Sequence, residues 1–145
     1  MGDKHYSVRL HLRGVMRDAQ MRCDTVELHT QGRMVLDESE NRVTLIYDED
    51  ESSGMQDSLT RLVLRDGCVD MCREGDCAVA MHFEKGKQFL SQYQTQHGAL
   101  AVSVFTNRVL YRVDDRGGKI RLGYVISVEN GPSTENTLSI DVQVC

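Results

Sequence analysis

Nonpolar side chains fall on every second residue along most of this chain, and that period is the feature that most limits its fold. The first run contains Tyr6, Val8, Leu10 and Leu12, with polar residues between them. The same period returns at residues 26–30, 43–47, 100–104, 120–128 and 138–144. A two-residue period is typical of a strand that buries one face. Since only residues 83–93 leave room for a short helical turn, the sequence predicts an all-β protein.

Turn-forming residues separate these runs of alternating residues. They are Glu74-Gly75, His97-Gly98, Asp115-Arg116-Gly117-Gly118 and Asn130-Gly131-Pro132. Consecutive hairpins of this kind form an antiparallel meander. About eight to ten short strands must pack as two sheets or close on themselves, because open edges promote aggregation. We therefore expect one up-and-down β-barrel domain with short turns over residues 1–145.

One run changes the parity of its nonpolar residues. The inward positions Val104 and Thr106 are followed by Val109 and Tyr111, which requires one extra residue near Asn107 or Arg108. An extra residue of this kind predicts a β-bulge. Bulges bend strands, and a small barrel needs bent strands.

Composition and charge exclude several functions. The net charge is −5, and only 6% of residues are aromatic, with no Trp. Scattered basic residues and few rings give little to hold a phosphate backbone or stack on bases, so nucleic acid is not an expected partner. No run approaches the ~20 apolar residues of a membrane span, and the N-terminal residues do not form a signal peptide. The five cysteines lack the spacing of a disulfide framework, which favours the cytoplasm.

Short motifs occur from about Ser7 to Val144. They are Tyr47-Asp48-Glu49, Gly54-Met55, Thr60, Met71-Cys72-Arg73-Glu74-Gly75, Phe83, Gly86, Tyr93-Gln94-Thr95, Gly98 and Thr137-Leu138-Ser139-Ile140. In combination they resemble the YwiB-like family of bacterial proteins, a domain of unknown function. The resemblance implies a calycin-like β-barrel, similar in architecture to lipocalins, and it implies no activity.

Three cysteines lie close together, at Cys68, Cys72 and Cys77. If Glu74-Gly75 is a two-residue turn, Cys72 faces Cys77 on the next strand. Cys68 and Cys72 are then about 13 Å apart along one strand, whereas two sulfurs on one zinc lie about 4 Å apart. A redox-sensitive Cys72–Cys77 disulfide, or part of a metal site completed elsewhere, is the functional alternative. The favoured interpretation is that these cysteines are small buried residues of the barrel wall.

Two further groups resemble metal sites. Folding the first hairpin about residues 19 and 20 places His11 opposite His29 and Arg13 opposite Glu27. Because that face of the strands is polar, we expect these side chains to be exposed and not to form a metal site. The acidic run at 48–54 resembles a calcium loop, but positions six and twelve, which require Gly and Glu, are Ser53 and Leu59. The sequence therefore predicts a solvated acidic hairpin tip, and neither a metal nor a cofactor.

Arg73 is the most informative charged residue. It follows Val69 and Met71 on one strand face, so we expect its guanidinium inside the barrel near the rim. There it either holds an anionic ligand or pairs with an acid such as Glu49, with Asp76 as the partner if Arg73 faces outward. The candidate ligand-binding residues, for a small apolar or anionic molecule, are Arg73, Glu49, Tyr47, His82 and Tyr93.

No catalytic residue is predicted. His82 is expected to be a core histidine, and the common nucleophile and phosphate-loop motifs are absent from the sequence. The leading hypothesis is therefore a non-enzymatic small-molecule-binding barrel. One alternative is a protein–protein interaction module, including a homodimer. The other is a hydrolase-type enzyme in which Arg73, Glu49 and His82 share one pocket.

Overall fold

The computed structural model of the protein describes residues 3–49, 58–74, 79–95, 98–129 and 131–145, without the side chains of residues 49, 58, 79 and 93–95. Within these ranges the chain forms ten strands and no helix, so the predicted all-β class is confirmed. No helix in the described ranges is long and apolar enough to cross a membrane. The strands are β1 Lys4–Arg17, β2 Cys23–Asp37, β3 Arg42–Glu49, β4 Ser58–Arg65, β5 Cys68–Glu74, β6 Val79–Phe83, β7 Gln88–Thr95, β8 Gly98–Asp114, β9 Gly117–Val128 and β10 Ser133–Val144.

All ten strands belong to one antiparallel sheet rolled into a nearly closed barrel. Their order is β6-β5-β4-β3-β2-β1-β10-β9-β8-β7, so each hydrogen-bonded neighbour is also a neighbour in sequence except where β1 pairs with β10. The first and last strands therefore lie in the middle of the sheet. The two edges, β6 and β7, meet at a seam, which confirms the predicted up-and-down barrel.

The inner face carries the core, as the alternation predicts. Along β1, Val8, Leu10 and Leu12 are buried, whereas Arg9 and Arg13 are exposed. Among the described residues, the largest fully buried side chains come from nine of the ten strands, all except β7, and fill the middle of the barrel. They are Phe83, Leu10, Met34, Leu45, Leu62, Leu64, Ile120, Leu122, Ile140, Val8, Val69 and Val104. Any open space inside the barrel must therefore lie towards an end.

Two predictions of local geometry are confirmed. In the first hairpin His11 faces His29 and Arg13 faces Glu27. The pairing of β8 with β9 shifts between Thr106 and Arg108, which is the predicted bulge. Gly123 lies opposite the bulge, where an added Cβ would come within 2.6 Å of the Asn107 side-chain oxygen. A glycine at that position leaves room for the extra residue.

The predicted two-residue turn at Glu74-Gly75 is wrong. Met71 faces Met81, and Cys72 faces Ala80 instead of Cys77, which lies outside the described residues. The observed register puts Met81 and Phe83 on the inner face, at 8% and 0% exposure, whereas the expected register would turn both outward. Burial of two large side chains accounts for the difference.

Candidate functional site

The barrel interior opens into a cavity of about 270 Å³ at the end where β1 runs towards β2. Leu12 and Leu28 form its floor and are nearly fully buried. The remaining lining residues are Gly14, Val15, Met16, Asp24, Val26, Arg73, Tyr124, Asn136, Thr137 and Leu138. We call this space the end cavity. Its lining is mainly nonpolar, and its polar side chains are one guanidinium, one phenol, one amide, one hydroxyl and one carboxylate.

Arg73 lies on the inner face at this end, as the strand pattern predicts. It faces Thr60, which in turn faces Tyr47, so the three residues form a row across β5, β4 and β3. Arg73 Nε donates to the buried Thr60 Oγ1 at 3.4 Å, and Nη2 lies 3.9 Å from Met71 Sδ. These contacts hold the half-buried side chain along the inner face.

The other predicted ligand-binding residues do not all share this space. Tyr47 is buried in the core at 2% exposure. Glu49 is the last residue of β3, and Tyr93 lies two residues before the end of β7. Their side chains, like most of the acidic run that follows Glu49, lie outside the described part of the chain. His82 is not a core residue. It faces Asp70 on the outer face of the sheet, because Met81 and Phe83 on either side of it point inward.

The position of His82 also contradicts the alternative hypothesis of a hydrolase pocket shared by Arg73, Glu49 and His82. Arg73 lies on the inner face of β5, three residues after Asp70, and alternation therefore places the two side chains on opposite faces. His82 shares the face of Asp70. The sheet therefore separates the guanidinium from the imidazole, and a hydrolase site formed by Arg73 and His82 together is not present.

A cluster of polar side chains surrounds His82 on the outer face. Its Nδ1 lies 2.6 Å from Asp70 Oδ1, and its Nε2 lies 3.1 Å from Glu84 Oε1. Hydrogen bonds to Asp70, and then to Glu84, raise the pKa of His82. The hydrogen bond from His82 lowers the pKa of Glu84. This arrangement favours an imidazolium between two carboxylates.

Cys68 completes this cluster. Burial raises the pKa of its thiol, and the negative charge of Glu84 raises it further. The prediction that the cysteines are buried wall residues is wrong for Cys72, which is exposed, and for Cys68, which is only half-buried. Cys68 and Cys72 both lie on the outer face, since Val69 and Met71 point inward. Ligand atoms of Cys68, His82 and Glu84 lie within 4.8 Å of one another.

A second outer-face cluster lies on β1, β2 and β10. The rings of His11 and His29 stack with centroids 4.2 Å apart and planes inclined by 6°. His11 Nε2 lies 3.2 Å from Glu27 Oε2, and its Nδ1 lies 3.9 Å from Asp141 Oδ2. His11 is half-buried and His29 exposed, which agrees with the predicted polar face.

Sequence reasoning missed the partners of His82 and most of the end cavity. Alternation alone places Cys68 and Asp70 on one face of β5, and His82 and Glu84 on one face of the next segment. Their meeting depends on the β5–β6 register, which the incorrect turn assignment concealed. No sequence motif marks the cavity, because lining residues such as Gly14 and Leu138 are ordinary strand residues.

Comparison with known proteins supports this fold and assigns no activity. Residues 10–140 match the family model of a domain of unknown function, DUF1934. The structure is similar to the crystal structure of the YwiB protein from Bacillus subtilis, with a TM-score of 0.82, 20% sequence identity, and coverage of 97% of this chain and 93% of that chain. No curated protein shows significant similarity to the chain. Since the family model spans most of the chain, this protein belongs to the DUF1934 family, as its resemblance to YwiB-like proteins predicted.

Proposed function

We propose that this protein is a non-enzymatic binding protein that takes a small amphipathic anion into the end cavity. The observation that carries the proposal is a half-buried guanidinium, that of Arg73, in the lining of a mainly nonpolar cavity. Binding sites for small molecules typically combine apolar surface with a few placed polar groups. A calycin-like barrel, which the family resemblance implies, is compatible with this use, but fold alone assigns no ligand.

The size of the end cavity limits the ligand. At about 270 Å³ it lies just below the range of roughly 300–1,000 Å³ that accommodates drug-sized molecules. Below the cavity the barrel is filled by core side chains such as Leu10 and Ile140. The bound molecule is therefore short, with a nonpolar body that contacts Leu12, Leu28 and Leu138.

The charge at the cavity favours an anionic head group. A guanidinium presents its donors in a planar fork that matches carboxylate or phosphate oxygens. Asp24 also lines the cavity but is exposed at the start of β2. Water screens its charge more than that of half-buried Arg73. The head group is expected beside Arg73 and away from Asp24.

Fluorescence titration with 8-anilinonaphthalene-1-sulfonate, followed by competition with decanoate and decanol, tests this proposal. Arg73→Met is expected to weaken decanoate binding roughly ten- to a hundredfold, because a charged hydrogen bond is lost, and to leave decanol unchanged. Gly14→Leu is expected to abolish binding of all three probes, because the leucine side chain would fill the cavity that Gly14 lines. The fold should tolerate the change, since a Cβ at this position meets no atom within 4 Å.

Arg61→Met is the matched control for the charge change. Arg61 lies on β4 next to Thr60 but is exposed on the outer face. Arg61→Met should not alter the affinity for decanoate or for decanol. Equal decanoate affinity in the native protein and Arg73→Met, or unchanged binding in a folded Gly14→Leu variant, would contradict the proposal.

A second candidate function is self-association through the outer face of β7 and β8. Leu90 is 75% exposed and Phe105 is 44% exposed, and the register places them diagonally on adjacent strands. Neighbouring exposed nonpolar groups favour protein interfaces. Sedimentation velocity over a range of concentrations tests this candidate. A dimer that Leu90→Ser disrupts would support it, and a monomer at every concentration would exclude it.

A further inference from the structure

We infer that Cys68, His82 and Glu84 form a zinc site on the outer face of the barrel, with Asp70 as the residue that positions His82. The sequence alone predicted no metal site here. The site is separate from the end cavity, because its side chains lie on the opposite face of the sheet. It therefore does not depend on the ligand-binding proposal.

The β5–β6 pairing brings these residues together. Asp70 faces His82 in the antiparallel register, and the same register extended by two residues brings Glu84 opposite Cys68. Residues two apart along a strand share a face. All four side chains therefore point outward from one small patch of sheet, where Phe89 of β7 covers one side of the His82 ring at a centroid distance of 5.9 Å.

The donor atoms are close to the spacing that zinc requires. Donors at about 2.1 Å from a tetrahedral zinc lie about 3.4 Å apart. His82 Nε2 and Glu84 Oε1 are 3.1 Å apart, and all three donor atoms, including Cys68 Sγ, lie within 4.8 Å of one another. A small movement of the Cys68 and Glu84 side chains is sufficient to complete the coordination.

Asp70 adds an independent feature of protein zinc sites. Histidine ligands usually donate their second ring N–H to a carboxylate, which fixes the tautomer and the ring orientation. His82 Nδ1 lies 2.6 Å from Asp70 Oδ1, and Nε2 is directed towards Cys68 and Glu84. When zinc displaces the Nε2 proton of the imidazolium, the Nδ1 proton remains on the hydrogen bond to Asp70. The imidazole is therefore held in the orientation that metal binding needs.

The chemistry of the donor set selects the metal. Sulfur, nitrogen and oxygen donors together suit a borderline ion such as zinc, whereas magnesium and calcium prefer oxygen ligands alone. Three protein donors leave a fourth position for water. The His11–Glu27–His29 cluster is less suitable, because its imidazole rings are nearly parallel and stacked, so their in-plane lone pairs do not converge.

Titration of the reduced, chelator-treated full chain with Co²⁺, and then with Zn²⁺, tests this inference. One equivalent of Co²⁺ should produce a thiolate-to-cobalt charge-transfer band. Zn²⁺ should displace the cobalt, abolish the band and raise the melting temperature of the protein. Cys68→Ser should abolish the band, and His82→Gln and Glu84→Gln should each weaken Zn²⁺ binding at least tenfold. Asp70→Asn should keep the band but weaken binding roughly ten- to a hundredfold.

Cys72→Ser is the matched control, since Cys72 is an exposed thiol four residues further along the same face of β5. It should leave the band and the affinity unchanged. Circular dichroism should show that each variant retains its strands. The assignment would be overturned if the charge-transfer band survived in Cys68→Ser, or if neither metal bound. It would also be overturned if Co²⁺ bound without a thiolate band and His11→Gln abolished that binding.

Discussion

The side chain of Thr106 is fully buried where β8 carries its bulge, and its Oγ1 has no hydrogen-bond partner among the described residues. A buried hydroxyl without a partner loses its hydration and gains nothing in return. Thr106→Val is therefore expected to raise the free energy of unfolding by about 1 kcal/mol. Urea denaturation at neutral pH measures the change.

Thr60→Val is the matched control for that substitution. Thr60 is equally buried on the inner face, but its Oγ1 accepts a hydrogen bond from Arg73 Nε. Its replacement should lower the free energy of unfolding by about 1 kcal/mol, because a charged donor loses its acceptor. If both substitutions destabilise the protein equally, Thr106 has a polar partner in solution.

Asp37 gives the protein a predictable response to acid. The Ser39 hydroxyl donates to Asp37 Oδ1 at 2.7 Å, and Arg42 Nη2 lies 3.0 Å from Oδ2. The hydrogen bond from Ser39, followed by those from the turn and the charge of Arg42, lowers the pKa of Asp37 below its ordinary value of 3.8. Because the folded pKa is depressed, the resulting stability is present above the unfolded pKa and is lost as pH falls through the folded pKa.

Asp37→Asn should therefore be less stable than the native chain at about pH 7, and the difference should shrink towards zero at about pH 2.5. Chemical denaturation at both pH values measures it. Asp115→Asn, in an exposed turn, should match the native chain throughout. A deficit in Asp37→Asn that stays constant as the pH falls would show that charge is not its cause.

Single residues show how far the sequence predicts a site. The inward position of Arg73 followed from alternation, since two buried residues precede it on the same face of β5. His82 could not be placed in that way, because a histidine among Met81, Phe83 and Ala80 fits either face until the partner strand is known. Its carboxylate partners come from the register and not from any motif.

At the scale of the strands, two glycines on the inner face differ sharply in their surroundings. An added Cβ at Gly32 of β2 would lie 2.4 Å from the Ile46 carbonyl oxygen and 3.1 Å from Tyr47 Cβ, whereas at Gly14 of β1 it would meet nothing within 4 Å.

Gly32→Ala should lower the free energy of unfolding by roughly 1–3 kcal/mol, because the backbones of β2 and β3 must separate. Gly14→Ala should instead stabilise by about 0.5–1 kcal/mol, as Ala does over Gly in a strand. Thermal unfolding of both variants tests the difference, and a similar loss in both would contradict it.

The hairpins show why some strand pairings were predictable and one was not. In the first hairpin, nonpolar positions on both strands fixed a register with Leu12 opposite Leu28, and the structure has that pairing. Between β5 and β6 the Glu74-Gly75 dipeptide suggested the tightest turn. The register instead follows the burial of Met81 and Phe83, so side-chain packing outweighs local turn preference at this hairpin.

At the scale of the whole molecule, alternation and turn spacing were sufficient to predict a rolled antiparallel sheet. They did not predict where the sheet would remain open. The first and last strands pair along ten positions, whereas β6 and β7, which follow each other in sequence, form the two edges. β6 is only five residues long, which leaves little backbone to pair across the seam.

The seam should be the least protected part of the barrel. Among the described residues, β6 pairs only with β5 and β7 only with β8, while Ser91 Oγ donates to the Ala80 carbonyl at 2.5 Å across the gap. Strand β1, in contrast, is hydrogen-bonded to β2 and β10 on its two sides. Amides with fewer backbone partners open more readily. Hydrogen exchange followed by mass spectrometry should therefore show faster exchange in β6 and β7 than in β1.

Ser91→Ala tests the one side-chain hydrogen bond described across the seam. Loss of the hydroxyl should accelerate exchange in β6 and β7 and leave β1 unchanged, because β1 lies in the middle of the sheet, away from both edges. Ser139→Ala, on the outer face of β10, controls for the loss of a strand hydroxyl elsewhere. If β7 in the native chain is as protected as β1, the two edges are hydrogen-bonded in solution and the barrel is fully closed.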